Sequence, residues 1–373
     1  MPYNDNLKGV LGRVFSNPDD LKGIYSMIRT VSRVIRAAAP LRINDIGGWT
    51  DTWFSGEGKV LNLAVSPPVE VAIKVYPNKR NRKERIFVKA LDYGDFFWMN
   101  PEEPDYNIHP YLQGAINSLR IPKGYELEVS VSACVPAGSS IGTSASVCVA
   151  LIGAIAALSP QTRSTDEIAL LAHRVETEKL GLQSGIQDQI CAAYGGVSFI
   201  HMHNYPEATV TRLFLPVGLR NELDQRLSLI FLGKAHRSSD IHDDVISTLE
   251  EGGPQFKEII RMRDLAEKAK DCLNKGDLTS YGKIMIQNNE CQRALHPGLI
   301  SEEADSVIEI ARQYNAAGWK VNGAGGKGGS LTILGSRNLN DREAMLREID
   351  MLGGGIRSLH FSLSPSGLTV TTE

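Results

Sequence analysis

Hydrophobic and polar positions alternate over residues 69–76. Val69, Val71, Ile73 and Val75 take one side and Glu70, Ala72, Lys74 and Tyr76 the other, predicting a strand with one buried face. A second apolar run follows at 86–91, expected to pair with the first as an antiparallel hairpin across a basic tip containing Lys79, Arg80, Arg82, Lys83 and Arg85. Leu127, Val129, Val131 and Ala133 repeat the alternation and lead into a Gly/Ser-rich loop, after which residues 147–158 are apolar on every side. A helix of that kind must be buried. Thr165 is expected to cap a helix with the stripe Ile168, Leu171, Ala172 and Val175, and Ser184 to cap another that ends at Gly195 and Gly196. Strand-like runs at 197–201 and 208–215 precede amphipathic helices near 255–275, 277–289 and 302–317. A glycine loop, strands at 331–334 and 359–363, a turn at Pro365, Ser366 and Gly367, and a last strand at 368–372 complete the pattern.

Neither half alternates strand and helix regularly, so the fold class expected is α+β with two domains. The expected division is a helical extension over 1–36, an N-terminal domain over 37–215 and a C-terminal domain over 216–373. At 373 residues and 42% hydrophobic, the chain is too long for one compact core. Forty basic and 43 acidic side chains give a net charge of -3, which supplies no global positive field to hold nucleic acid or an anionic membrane. The five cysteines form no CxxC pair and read as reduced thiols. No window approaches the roughly 18 apolar residues of a membrane span, and no apolar signal core is visible, so a cytoplasmic protein is expected.

Three segments carry chemistry. Pro136, Gly138, Ser139, Ser140, Gly142, Thr143, Ser144, Ala145 and Ser146 lie between a strand and the buried helix, crowding hydroxyls and free N–H groups at a helix start. Such a terminus is an anion site, most naturally for a polyphosphate, and it lacks the lysine of a Walker loop. Gly323, Gly325, Gly326, Gly328 and Gly329 fall just before an apolar strand, with Lys327 among them. That density points to close approach of backbone to a ligand or to another loop. In the third segment Arg42, flanked by Leu41 and Ile43, is a charge in an apolar stretch and wants an anionic partner. Gly47 and Gly48 then turn the chain, and Asp51 could accept hydrogen bonds from a polyol. His201 and His203 share a strand face, but no third zinc ligand accompanies them.

Taken in this order, the three segments resemble the motifs of the GHMP kinase superfamily. Residues 39–51 are similar to the sugar-kinase first motif, 136–146 to the ATP loop, and 322–330 to the third motif with Lys327 inserted. The resemblance implies an N-terminal domain with a left-handed βαβ element, a C-terminal ferredoxin-like domain, and a site between them. It implies ATP and Mg²⁺ as cofactors, Asp188 as general base with Arg42 beside it, and Ser144 and Glu176 as metal ligands. Nucleotide contacts would come from Pro136, Gly138, Ser139, Ser140, Gly142, Thr143, Ser144 and Ala145 with Gly325 and Gly326, and acceptor contacts from Gly47, Gly48, Trp49, Asp51, Gly323 and Arg237. Gly48 and Trp49 stand where galactokinases carry Glu-His, and with residues 185–189 they resemble the fucokinase and heptose 7-phosphate kinase branch. The expected activity is therefore phosphorylation of the anomeric hydroxyl of a heptose 7-phosphate or of fucose. The alternatives are a kinase for a uronic acid or other polyol, and a catalytically silent sugar- and ATP-binding regulator. A diphosphate decarboxylase shares the ATP loop, but the polar Gly48 to Asp51 segment suits a polyol better. The partner expected is a small sugar or sugar phosphate, with no nucleic acid or membrane, and a homodimer is compatible with the fold.

Overall fold

The computed structural model describes residues 31–234, 245–247, 249 and 253–373. Most of the expected N-terminal extension and Arg237 lie outside these residues. Residues 33–36, expected to end the helical extension, are instead the start of a long strand, β1 (Arg33–Ile46). Its neighbour β2 (Gly58–Pro77) runs antiparallel to it over nearly its whole length, with Arg42 opposite Ala64. The apolar residues of both strands alternate into one core, which fixes the register.

The other edge of β2 is shared between two partners. β5 (Tyr125–Ser132) takes residues 70–77, and β6 (Val197–Asn204), itself paired to β7 (Glu207–Leu213), takes residues 58–63. β3 (Ile86–Ala90) lies beyond β5, parallel to it, and β4 (Asp95–Met99) forms the edge. The hairpin expected between 69–76 and 86–91 therefore does not form. Alternation specifies which face is buried but not which strand is the neighbour, and β5 inserts between the two. The parallel β3–β5 pair requires a crossover. It passes through β4 and α1 (Pro110–Ile116).

Helices α2 (Thr143–Ala156), α3 (Thr165–Arg174) and α4 (Gln187–Tyr194) pack against one another, and α2 and α4 also lie on β1 and β2. α2 is buried all round, as its composition requires; Leu151 and Ile152 are wholly inaccessible. Two caps differ from expectation. Ser164, not Thr165, caps α3, in a reciprocal capping box with Glu167. Ser184 does not cap α4, because its hydroxyl is used by Glu176.

After α5 (Val217–Arg226), a second, wholly antiparallel sheet is built from β8 (Leu227–Leu232), β9 (Gly318–Val321), β10 (Ser330–Leu334) and β11 (Ile356–Leu359). Its order β11-β8-β10-β9 is ferredoxin-like. Helices α6 (Phe256–Lys275), α7 (Leu278–Leu295) and α8 (Glu302–Gln313) connect β8 to β9, and α9 (Leu339–Asp350) connects β10 to β11. α6 packs on β2, and α7 touches both β9 and β1, so this helix pair joins the two sheets. The chain then returns: β12 (Ser362–Leu363) pairs with β2 and β13 (Thr369–Thr372) with the free edge of β1. A C-terminal unit running from 216 to 373 thus misplaces the last strands. The unpaired backbone along β1 needs a ladder partner, and the tail supplies it. Among the described residues no helix is long and apolar enough to cross a membrane.

Candidate active site

Arg42 sits near the end of β1 and is 5% exposed. Its Nε donates to Asp188 Oδ1 at 2.7 Å, one terminal nitrogen to Asp188 Oδ2 at 3.1 Å, and the other to the Ser140 carbonyl at 2.6 Å. This fork is the strong, direction-fixing form of an ion pair. Burial works against the charge of Arg42, but the carboxylates of Asp188 and Asp45 outweigh it and keep the guanidinium protonated. Asp188 lies in the first turn of α4, where the helix dipole favours its negative charge, and its side chain retains 26% exposure.

The Ser140 carbonyl belongs to the loop before α2. That helix begins at Gly142, in left-handed conformation at φ 72°, with no side chain capping it. The first amides of α2 could therefore receive an anion. A Cβ on Gly142 would stand 3.2 Å from Arg42 Cγ and 3.3 Å from Asp188 Oδ2, so the loop, the arginine and the acid meet at one point. The glycine loop between β9 and β10 closes on the same place: Ser330 Oγ donates to the Ser139 carbonyl at 2.6 Å, and a Cβ on Gly329 would lie 2.6 Å from Ser140 Oγ.

Two further carboxylates line the neighbourhood. Glu176, on a π-helical turn (Val175–Lys179) that prolongs α3, is buried, and burial pushes its pKa up to about 7. Its carboxyl accepts from Ser184 Oγ, and among the described residues no Lys or Arg pairs with it. Asp51 is 2% exposed and accepts from the Gln187 amide at 3.0 Å, tying the turn after β1 to the start of α4. Burial raises its pKa to about 6. Beneath them lies an ion pair between Asp45 and Lys320 at 3.0 Å, both fully buried.

The profile of the GHMP kinases N terminal domain matches residues 110–196. A mevalonate kinase of Thermococcus gammatolerans is 30% identical over 237 residues, 61% of this chain and 67% of the relative. The chain belongs to the GHMP kinase superfamily. This kinase is also 26% identical over 325 residues, 81% of its length, to the bifunctional fucokinase/GDP-fucose pyrophosphorylase of Arabidopsis thaliana, but spans only 30% of that larger protein. It is 26% identical over 306 residues to the D-glycero-alpha-D-manno-heptose 7-phosphate kinase of Campylobacter jejuni, covering 79% of this chain and 88% of the relative. In fold it matches the crystal structure of a D-glycero-D-manno-heptose 1-phosphate kinase from Bacteriodes thetaiotaomicron at TM-score 0.69 and 20% identity, over 90% of this chain and 98% of the other.

Of the residues singled out in the sequence of this kinase, Arg42, Ser139, Ser140, Gly142, Asp188 and Gly323 converge within contact distance. Thr143, Ser144 and Ala145 form the first turn of α2, while Pro136 closes the loop by accepting from Ser139 Oγ. Gly325 packs against Leu299, whose carbonyl the Gly326 amide reaches at 2.9 Å. Gly47 donates to Asn288 Oδ1, and Trp49 is buried, so these two shape the turn from behind. Lys327 points to solvent, and His201 pairs with Glu57. Sequence reading missed Asp45 and Lys320. Their one signal was a charge inside an otherwise apolar strand, the same signal that singled out Arg42.

Proposed function

We propose that this kinase transfers the γ-phosphate of ATP to the anomeric hydroxyl of a sugar, either a heptose 7-phosphate or a deoxyhexose such as fucose. The observation that carries the reading is Asp188, held through both its oxygens by one edge of the Arg42 guanidinium and still partly exposed, beside the uncapped amides of α2. Support for a sugar acceptor comes from the fucokinase and heptose kinase relatives, whose similarity covers 81% and 79% of the chain, against 61% for the mevalonate kinase.

Phosphoryl transfer is mainly positioning and charge neutralisation, because the transition state spreads negative charge over the equatorial oxygens. The amides of Thr143, Ser144 and Ala145 would take phosphate oxygens. Asp188 would accept the proton of the attacking hydroxyl, a task eased by the greater acidity of an anomeric hydroxyl over an ordinary alcohol. Arg42 fixes the Asp188 carboxylate through both its oxygens, and it would offer positive charge to the incoming phosphoryl group. Magnesium suits the donor set, since Glu176 is a buried carboxylate with no cation of its own, near the hydroxyl of Ser144. Bound there, the ion would neutralise charge on the nucleotide phosphates. None of the five cysteines is paired, which suits a cytoplasmic setting.

The test is a panel of L-fucose, heptose 7-phosphates, uronic acids and mevalonate assayed for ADP release, with the phosphorylated carbon located by phosphorus–carbon coupling. A sugar 1-phosphate is expected, and a product phosphorylated elsewhere rejects the reading. Asp188→Asn is expected to lose about a hundred- to ten-thousandfold in turnover while still binding ATP. Undiminished turnover in that variant rejects the assignment of the base.

A further inference from the structure

We infer that the buried Asp45–Lys320 ion pair is a positioning device that keeps the guanidinium of Arg42 on Asp188. Asp45 stands at the end of β1, three residues after Arg42, and Lys320 lies on β9 of the second sheet, 275 positions away in sequence. Asp45 Oδ1 accepts from Lys320 Nζ at 3.0 Å and from the Gly323 amide at 3.0 Å. Lys320 is further fixed by donating to the Val321 carbonyl at 2.8 Å.

The same Asp45 oxygen is only 4.0 Å from a terminal nitrogen of Arg42. Arg42 therefore lies between two carboxylates and bonds one of them. Lys320 and the Gly323 amide both take Oδ1 of Asp45, the oxygen that faces Arg42, and the hydrogen bonds of Arg42 go to Asp188 and the Ser140 carbonyl. Asp45 cannot easily be displaced, because its second oxygen is packed under Gly48: a Cβ at position 48 would lie 2.5 Å from it. The other charged groups near Asp188, which are Asp51 and Glu176, are both acidic and offer Asp45 no alternative cation.

Removing the lysine charge leaves a buried carboxylate whose nearest cation is Arg42, and an unpaired buried charge is far more costly than a missing pair. The guanidinium would be drawn toward Asp45, away from Asp188 and from the loop that leads into α2. Removing both members of the pair takes away that pull. The geometry thus assigns opposite signs to the second substitution: harmful if the pair merely holds the two sheets together, restorative if it governs Arg42.

This inference rests on the assignment of Asp188 and Arg42 above. Lys320→Met, Lys320→Arg, and Lys320→Met combined with Asp45→Asn are compared with the native enzyme on the best acceptor of the panel, with folding followed by thermal unfolding. Lys320→Met is expected to lower kcat about a hundredfold, the usual consequence of an ångström-scale misplacement, with KM for ATP changed less than about threefold. Adding Asp45→Asn is expected to recover at least about tenfold of that loss, and Lys320→Arg to stay closer to native than Lys320→Met. A folded double variant no faster than Lys320→Met, or a Lys320→Met variant affected only in KM, overturns the inference. If Lys320→Met does not fold, recovery of folding and turnover in the double variant supports the inference, and a double variant that stays unfolded or inactive overturns it. Asp188→Asn is assayed alongside. Native turnover there rejects the base itself, whereas loss there without rescue in the double variant rejects only the role of the pair.

Discussion

Glu176 is a carboxyl whose burial raises its pKa from 4.5 to about 7. Because the folded state holds the proton more tightly than the unfolded chain, the native protein binds more protons between these values. Stability is then greatest below about pH 4.5 and falls as pH rises through 7, by about 3 kcal/mol for a shift of this size. Asp51, raised to about 6 by the same cause, adds a loss of the same sign at lower pH. In Glu176→Gln the decline between pH 5 and 8 should shrink, as read from thermal unfolding across that range. Addition of ATP with magnesium should flatten the native curve and leave that of the variant unchanged; equal slopes in both proteins would remove the case for a buried, cation-free acid at this position.

At the scale of elements, the start of α2 joins the proposed anion site to the proposed catalytic pair. Gly142 holds φ 72°, and the nearest atoms to a Cβ there belong to Arg42 and Asp188. A left-handed non-glycine residue costs about 1–2 kcal/mol. Gly142→Ala should lose about that much stability in denaturant titration. Its turnover should fall by about tenfold or more, since the methyl group crowds the two side chains whose alignment the proposed chemistry needs. A variant that loses stability but keeps native turnover would mean that the loop and the arginine adjust independently. The sequence made this loop legible because its glycines and serines are dense and border a wholly apolar helix. It did not reveal the π-helical turn at Val175–Lys179, on which Glu176 is buried; the apolar stripe ended at Val175.

For the whole molecule, the last residues fasten α4, the helix that carries the proposed base. The Leu368 amide donates to the Ala193 carbonyl at 3.1 Å and the Gly196 amide to the Ser364 carbonyl at 2.9 Å, while β13 completes the edge of β1. Backbone meets backbone at Gly195: a Cβ there would lie 2.1 Å from the Gly367 nitrogen. Gly195→Ala must push the tail off α4, and we expect a loss of about 2–4 kcal/mol. Circular-dichroism unfolding in urea checks this, and a change under about 0.5 kcal/mol, the range of an ordinary surface substitution, would show that the tail is not a fastening.

The sequence by itself determined what each stretch must bury or expose: the apolar helix after the serine loop, the alternating strands, and an arginine stranded between Leu41 and Ile43 that had to find an acid. Three ordered segments were enough to mark the superfamily, and the resemblance then pointed to Arg42 and Asp188 before any distance was known. Tertiary structure alone decided who meets whom. β5 rather than β3 lies beside β2, the tail pairs with β1, and Asp45 meets Lys320 across 275 positions. The reason is physical. Local pattern records the free energy of burying one face, which depends on composition, whereas pairing across the chain is set by which distant groups satisfy each other's backbone and charge once the faces are packed.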